Sequence, residues 1–428
     1  MAVEDTPVAA PPPRGGARQI LVASVGNVVE WYDWHVYTFL ATYIAAEVFP
    51  QGSGNSLVPL LATFAVFAVG FFARPLGGLL LGAVADRRGR RAALTATVFL
   101  MGASCLVVAL TPTFAVAGPL GPVVLVLARL VQGLSAGGEF AASTTLLAES
   151  AGPGRRGLFS SFHYVAATAG QVLASGTAAL LVLTLDDHAM HTWGWRVPFL
   201  VGAVLSLLGL WIRHAARETL AEVRPERRTG LFEGVRRHPR ASLLICGITV
   251  GGTIAFYTWT TYLPTYAQVN AGFDKGRSLL VGTVSLVFFG LVQPLGGLLS
   301  DRVGRRPLLL GFAGGSAVLC VPLLHLIGSS FWSLLFVQCT GLLLLTGYTS
   351  IAAAVNAEVF PARVRASGVG VPYSLTVALF GGTAPYVGTL LKDQGVADAF
   401  PWYVAGLCLL SGLVYLRLPE GAFEQLDR

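Results

Sequence analysis

The chain has 428 residues, of which 54% are apolar and only 12% charged. Water-soluble globular proteins carry about 25% charged residues, so half that share leaves too little polar material to coat a soluble surface of this size. Stretches free of Asp, Glu, Lys and Arg, such as 92–128 and 241–273, exceed the roughly 20 apolar residues that cross a bilayer. An ordinary soluble enzyme is excluded, and a polytopic membrane protein is indicated.

In chain order, residues 1–19 are acidic, then Pro-rich, then weakly basic, and read as a disordered tail with no cleavable signal pattern. Dividing the apolar runs at polar, Gly/Pro-rich and Arg-rich breaks predicts twelve transmembrane helices, near 20–48, 57–85, 91–112, 119–149, 157–184, 195–214, 241–267, 278–300, 307–328, 331–357, 366–391 and 398–417. An even number of spans puts both termini on one side. That side collects 23 of the 29 basic residues, whereas the other holds only Arg196, Lys275, Arg277 and Lys392. By the positive-inside rule the termini and the long central loop are cytoplasmic, and the net charge of +7 reflects topology rather than an affinity for nucleic acid. The expected organisation is a cytoplasmic tail (1–19), an N-terminal six-helix bundle (20–214), a cytoplasmic linker (215–240), a C-terminal six-helix bundle (241–418) and a second cytoplasmic tail (419–428).

Motifs recur at equivalent breaks of the two halves, as internal repeats require. GAVADRRGRR follows the second span from Gly82, and GLLSDRVGRR follows the eighth from Gly297. After the fourth span Glu149 precedes Arg156 by seven positions, and after the tenth Glu358 precedes Arg365 by the same interval. The five cysteines, Cys105, Cys246, Cys320, Cys339 and Cys408, all fall in apolar stretches without metal-ligand spacing and read as packing residues.

These loops resemble the signature of the major facilitator superfamily, whose fold is two pseudo-symmetric six-helix bundles around a substrate cavity. More narrowly, the sequence resembles the metabolite:proton symporters, the proline/betaine, α-ketoglutarate, citrate and shikimate permeases. The segments that carry this are GNVVEWYDWHVY from Gly26, ARPLGGLLLGAVADRRGRR from Ala73, RLVQGLSAGGE from Arg129, GWRVPF from Gly194, YTWTTYLPTY from Tyr257 and AEVFPARVRASGVGVPYSLTVALFGGTAP from Ala357. Departures from the family pattern fall at Ala141 and Ala142, where glycines are usual, and at Tyr373 and Ser374, where Tyr-Asn is usual.

Ionisable residues inside hydrocarbon cost about 3 kcal/mol by insertion scales, so those that persist face a cavity and pair. Five qualify, all in the N-terminal half: Glu30, Asp33, Arg74, Arg129 and Glu139. A proton-coupled carrier needs a carboxyl whose proton affinity changes as its surroundings alternate between wet and dry. Asp33 and Glu139 are the candidates, Asp33 favoured, with Glu30 one helical turn away. The bland alternative is that they only neutralise the arginines. Arg74 presents a planar fork suited to a carboxylate and is the candidate anion site, set against a permanent salt bridge. Arg129 is the expected relay partner. Tyr37, on the Asp33 face, and Tyr257, Trp259 and Tyr373 from the other half are candidate substrate contacts, Tyr257 foremost; rings in membrane helices more often simply pack.

At the cytoplasmic face Asp86 and Asp301 end spans ahead of Arg clusters. Such carboxylates can sit at the N-terminus of a helix from the opposite half while arginines hold Glu149 or Glu358. Resemblance implies a gate of Asp86, Arg90, Glu149, Arg156, Asp301, Arg305, Glu358 and Arg365 that opens as the halves rock. Gly82, Gly89, Gly297 and Gly304 fit close helix approach and tight turns. The external run Asp186 to His191 is a weak metal candidate, and His35 and His163 are weak proton shuttles.

The expectation is an all-α secondary transporter of the plasma membrane, monomeric, importing a small carboxylate-bearing or zwitterionic solute with protons. It uses no cofactor, metal or nucleic acid and draws on the proton gradient. Proton-driven efflux and a membrane receptor are the alternatives. No P-loop or metal-ligand cluster points to an enzyme.

Overall fold

The computed structural model describes residues 16–50, 57–137, 154–215, 233–359 and 365–421, and among them there is helix and turn but no strand. Among the described residues eight helices are long and apolar enough to cross a bilayer, and the shorter apolar helices Thr95–Ala109, Leu120–Ala136 and Ala399–Tyr415 add three more. With the first span, twelve crossings are accounted for, as the hydropathy pattern predicts.

The first span is two helices, Gly16–Phe39 and Ala41–Val48, stepped at Leu40. The second to sixth follow as Val58–Arg88, Arg90–Ala109, Leu120–Ala136, Arg156–Thr184 and Val197–Ala215. The turns after the second and eighth spans pivot on Gly89 and Gly304, at φ 86° and 100°, where a side chain would be strained. The eighth span is Lys275–Val303, the ninth Arg305–His325, and the tenth runs Phe331–Thr349 and Ala352–Val359. The twelfth is Ala399–Tyr415.

The seventh and eleventh spans depart from the uninterrupted helices expected. The seventh is Pro239–Phe256, a π-helical turn at Tyr257–Tyr262, then Leu263–Ala271. The eleventh is Arg365–Thr376, a π-helical turn at Val377–Gly382, then Ala384–Asp393. A proline follows each π turn two or three residues on, Pro264 or Pro385. Proline cannot donate to the carbonyl four residues back and its ring crowds that carbonyl, so a wider turn just before it relieves the clash.

Helix pairing repeats between the halves. The first packs on the fifth as the seventh packs on the eleventh; the second on the fourth as the eighth on the tenth; the third on the sixth as the ninth on the twelfth. Across the interface the fifth lies along the eighth, and the eleventh meets the second in the symmetry-related way. The closest approach is at Gly157 and Gly297. A Cβ on either would stand 2.5 Å from the carbonyl oxygen of the other, so only glycine allows this contact. Outward, Leu243, Leu291, Val318 and Trp332 are each more than 70% exposed, an apolar belt that belongs in lipid rather than water.

Candidate functional site

A small cavity lies between the halves, lined from the first half by Asn27, Glu30, Trp31, Arg74, His163 and Tyr164, and from the second by Thr253, Tyr257, Tyr348 and Tyr373. Its volume is about 30 Å³, room for a water or two, so the halves must part to admit a solute. Aromatic rings close over it: Phe71 and Phe256 stand edge-on to Tyr257 at 5.3 and 5.2 Å, and Phe256 stands edge-on to Trp31 and Tyr164. Tyr257 owes its place to the π turn, and its ring fits because Gly381 opposite carries no side chain.

Arg74 is the cation of this cavity. Its guanidinium lies over Trp34 and Phe71, with the ring centroids at 4.2 and 4.5 Å, and next to the Tyr257 hydroxyl. Its Nε is buried with no hydrogen-bond partner among the described residues. Aromatic faces offset the charge but offer its N–H donors no strong acceptor, so the guanidinium retains the capacity to bind an anion.

Trp34 carries a second cation. Arg129, fully buried, stands 4.5 Å from its centroid and 4.3 Å from that of Tyr37. Arg129 Nη1 donates to Gln132 Oε1 at 2.7 Å, and Gln132 Nε2 donates to both oxygens of Asp33 at 2.9 and 3.1 Å. The Cys105 thiol donates to the same carboxylate. Asp33 is therefore joined to Arg129 through an amide rather than by a direct salt bridge, and it faces into the first half rather than the cavity. One chain of contacts runs from the cavity to the buried acid: Arg74, Trp34, Arg129, Gln132, Asp33.

Of the expected substrate contacts, Arg74, Tyr257 and Tyr373 line the cavity together with Glu30, whereas Tyr37 and Trp259 do not. The Tyr37 hydroxyl donates to the Thr63 carbonyl at 2.9 Å, and its ring is the platform for Arg129. Trp259 turns toward the tenth span, where its ring packs on Gly341 and its carbonyl accepts from Gln338 at 3.0 Å. One-turn spacing put Tyr37 on the Asp33 face, but that face looks into the bundle. Glu139 and Glu149 lie outside the described residues, as do the side chains of Asp86, Arg90 and Arg365.

At the Arg-rich end, Asp301 reaches from the eighth span to the start of the fifth. Its two oxygens accept from the backbone N–H groups of Gly157 at 2.8 Å and Leu158 at 3.0 Å, the positive end of the helix dipole. Arg305 donates to Asp301 at 2.9 Å and lies 3.7 Å from Glu358, which faces Arg156 at 3.5 Å. Glu358 is thus held by charge at distances too long for strong hydrogen bonds. The Ser160 hydroxyl accepts from Ala354 N–H at 3.2 Å, a further tie between the halves. Glu420, just past the last span, accepts from the N–H groups of Arg305 and Arg306 at 2.8 and 3.0 Å.

The opposite end is also drawn together. Lys275 lies over the ring of Tyr43 at 4.4 Å, and Phe64 meets Tyr262 edge-on at 5.8 Å. Within the Asp186–His191 run, Asp186 caps a short helix by accepting from Ala189 N–H, and His191 hydrogen-bonds Glu47 at 2.8 Å. These are structural duties. Among the described residues no cluster of three metal-ligating side chains occurs.

Sequence reasoning passed over Asn27, Tyr164, Thr253 and Tyr348 at the cavity, and Cys105 and Gln132 on Asp33. Gln132 carried a readable signal, since it stands three residues after Arg129 and so on the same helix face. The polar wall contributed by neutral residues carried none.

Twelve helices in two pseudo-symmetric halves around an enclosed, partly charged cavity define a membrane transporter of the alternating-access kind. The family model described as Major Facilitator Superfamily matches residues 24–292 and 278–426, and the chain belongs to that family. It is 42% identical over 403 residues to the alpha-ketoglutarate permease of Escherichia coli, covering 93% of each chain. The citrate-proton symporter of Salmonella typhi is 33% identical, covering 94% of both, and the proline/betaine transporter of Salmonella typhimurium is 31% identical, covering 93% of this chain and 82% of that one. Among solved structures, a D-xylose-proton symporter superposes with a TM-score of 0.73 at 19% identity, covering 95% of this chain and 99% of that one, a likeness of fold.

Proposed function

We propose that this transporter imports a small carboxylate-bearing metabolite with protons across the cell membrane, with both termini and the 215–240 linker in the cytoplasm. The relative that is an alpha-ketoglutarate permease makes alpha-ketoglutarate the first substrate to try. The observation that carries the reading is the shared ring of Trp34, with the cavity guanidinium of Arg74 on it and also Arg129, whose hydrogen-bond chain ends on Asp33. An anion on Arg74 offsets one of two neighbouring cations. That changes the electrostatic balance at Asp33, whose protonation then completes the loading of the carrier. No cofactor enters this cycle; the proton gradient drives it.

The Asp301 cap and the Arg156, Arg305 and Glu358 cluster hold the cytoplasmic side shut, and they separate when the two six-helix units, 20–214 and 241–418, rock about the cavity. Proteoliposomes with an imposed inward proton gradient test the reading directly. Alpha-ketoglutarate accumulates above its external concentration when the gradient is present, and equal uptake with and without it refutes symport. A second reading is favoured by Glu30, which shares the cavity with Arg74 and would complement the ammonium of a zwitterion. Competition by betaine or proline against alpha-ketoglutarate uptake separates the two.

A further inference from the structure

His35 is fully buried where the two halves meet, stacked between the rings of Trp31 at 5.2 Å and Tyr257 at 6.3 Å. Its Nδ1 lies 2.9 Å from the Trp31 carbonyl, which only accepts, so Nδ1 carries a hydrogen. Its Nε2 lies 2.8 Å from Gln171 Nε2 of the fifth span. An amide nitrogen only donates, so this Nε2 is a lone pair and the ring is neutral. The same Gln171 Nε2 donates to Thr260 Oγ1 at 3.2 Å, inside the π turn of the seventh span, and Thr260 in turn donates to the Phe256 carbonyl at 2.7 Å. Gln171 Oε1 is buried with no partner among the described residues. An uncompensated buried carbonyl oxygen is costly, and it is the group a protonated His35 would need.

We infer that His35 is a second proton-binding group of the transport cycle, and that Gln171 transmits its protonation to the other half by turning its amide over. With a proton on Nε2, the imidazolium donates to Gln171 Oε1. Thr260 then faces an acceptor instead of a donor. Its hydroxyl swings to Oε1 and releases the Phe256 carbonyl at the mouth of the π turn, where Tyr257 covers the cavity.

The charged and titratable groups around the ring set when this happens. Arg74 comes from the second span, Arg129 from the fourth and Tyr257 from the seventh; the fifth meets the ring through the neutral Gln171, and its His163 and Tyr164 line the cavity with Glu30, Arg74 and Tyr257. Asp33, on His35's own helix, turns away to Cys105 and Gln132. An imidazolium beside two guanidiniums is opposed by both, so the proton settles there together with the anion that offsets Arg74 and not before it. This step rests on the carboxylate reading of Arg74. It matches a solute with two carboxylates to two proton carriers, Asp33 and His35.

The test measures proton uptake on adding alpha-ketoglutarate to the purified, full-length protein in weakly buffered detergent solution, read with a pH-indicator dye and divided by the solute bound. In H35Q the glutamine amide keeps a neutral bridge to Gln171, and uptake per bound solute falls to about half that of the unmodified protein. In Q171E the new carboxylate holds the imidazolium whether or not solute is present, so binding no longer draws that proton and uptake again falls to about half. Unchanged uptake per bound solute in either variant overturns the inference while leaving symport standing. Failure of the unmodified protein to take up any proton on binding overturns the symport reading itself, and this inference with it.

Discussion

Replacing Asp301 by Asn isolates the charge that ties the eighth span to the fifth. The carboxylate accepts two backbone N–H groups at 2.8 and 3.0 Å and the Arg305 guanidinium at 2.9 Å, and its side chain is only 7% exposed. Asparagine has one acceptor oxygen, so its amide NH₂ must face either a backbone N–H or the guanidinium, donor against donor. Arg305, 1% exposed, is left as a buried cation whose remaining carboxylate, Glu358, is 3.7 Å away. The Arg305 contact lies within the second half, so what ties the halves is the pair of charge-assisted bonds to Gly157 and Leu158, and losing one of them costs about 1.5–3 kcal/mol. Because the fifth and eighth spans belong to different halves, that loss falls on the state closed at the Arg-rich end and spares the folding of each half. It moves the closed-to-open ratio by roughly ten- to 150-fold. The assay is alkylation of a cysteine placed at Ala354, which is fully buried beside Ser160, against the background of the native cysteines. Labelling from the Arg-rich side accelerates in D301N, and uphill uptake falls because the carrier is held open on that side. Unchanged labelling at A354C, with D301N folded and inserted, would refute the idea that this cap is a conformational latch.

Further outcomes follow from the same geometry. R74K replaces a fork seated on two rings by a point charge, and the apparent affinity for alpha-ketoglutarate drops by roughly 1–3 kcal/mol, read from concentration-dependent uptake; no change makes Arg74 a packing cation. D33N fixes the buried acid in a neutral form, so gradient-driven accumulation is lost while exchange of labelled for unlabelled solute continues, and normal accumulation removes Asp33 from coupling. G297A pushes a methyl against the Gly157 carbonyl, which costs about 1–3 kcal/mol and lowers the thermal midpoint of the purified protein while also loosening the Arg-rich end. An unshifted midpoint in G297A shows that the fifth and eighth spans separate without penalty.

The spans and their internal repeat were legible because burial in lipid demands long apolar runs and because Gly89 and Gly304 mark the turns between them. The two π turns were less legible. Hydropathy does not distinguish a 3.6-residue helix from one with a wide turn, and the only written signs were Pro264 and Pro385. Charge placement was half legible. Arg74 stood out as an ionisable group at midspan, but the amide between Arg129 and Asp33 did not, since a glutamine in a membrane helix has no charge to flag it. Tyr37 shows the limit of face arguments: helical spacing places it beside Asp33, and only packing reveals that this face looks toward the second, third and fourth spans.

Glutamines also account for the asymmetry of charge between the halves. The second span reads Arg-Pro-Leu-Gly-Gly from Arg74, and the eighth reads Gln-Pro-Leu-Gly-Gly from Gln293. The offset that carries Glu149 to Glu358 also carries Arg129 to Gln338. Arg129 thus has a neutral amide at the matching place in the second half, and Arg74 has one a single helical turn nearer the Arg-rich loop, since the offset that carries Gly89 to Gly304 carries Arg74 itself to Phe289. These amides are occupied: Gln293 and Thr349 exchange hydrogen bonds at 2.8 and 3.1 Å, and Gln338 satisfies the Trp259 carbonyl beside the π turn. A guanidinium at either place would add a buried charge with no acid in its half to balance it, since the described spans of that half carry none away from their ends. The repeat has therefore been divided by chemistry. One half keeps the cations and the acid that answer to anion and proton, and the other uses neutral amides at or one turn from those places to brace the helices whose rings close over the cavity.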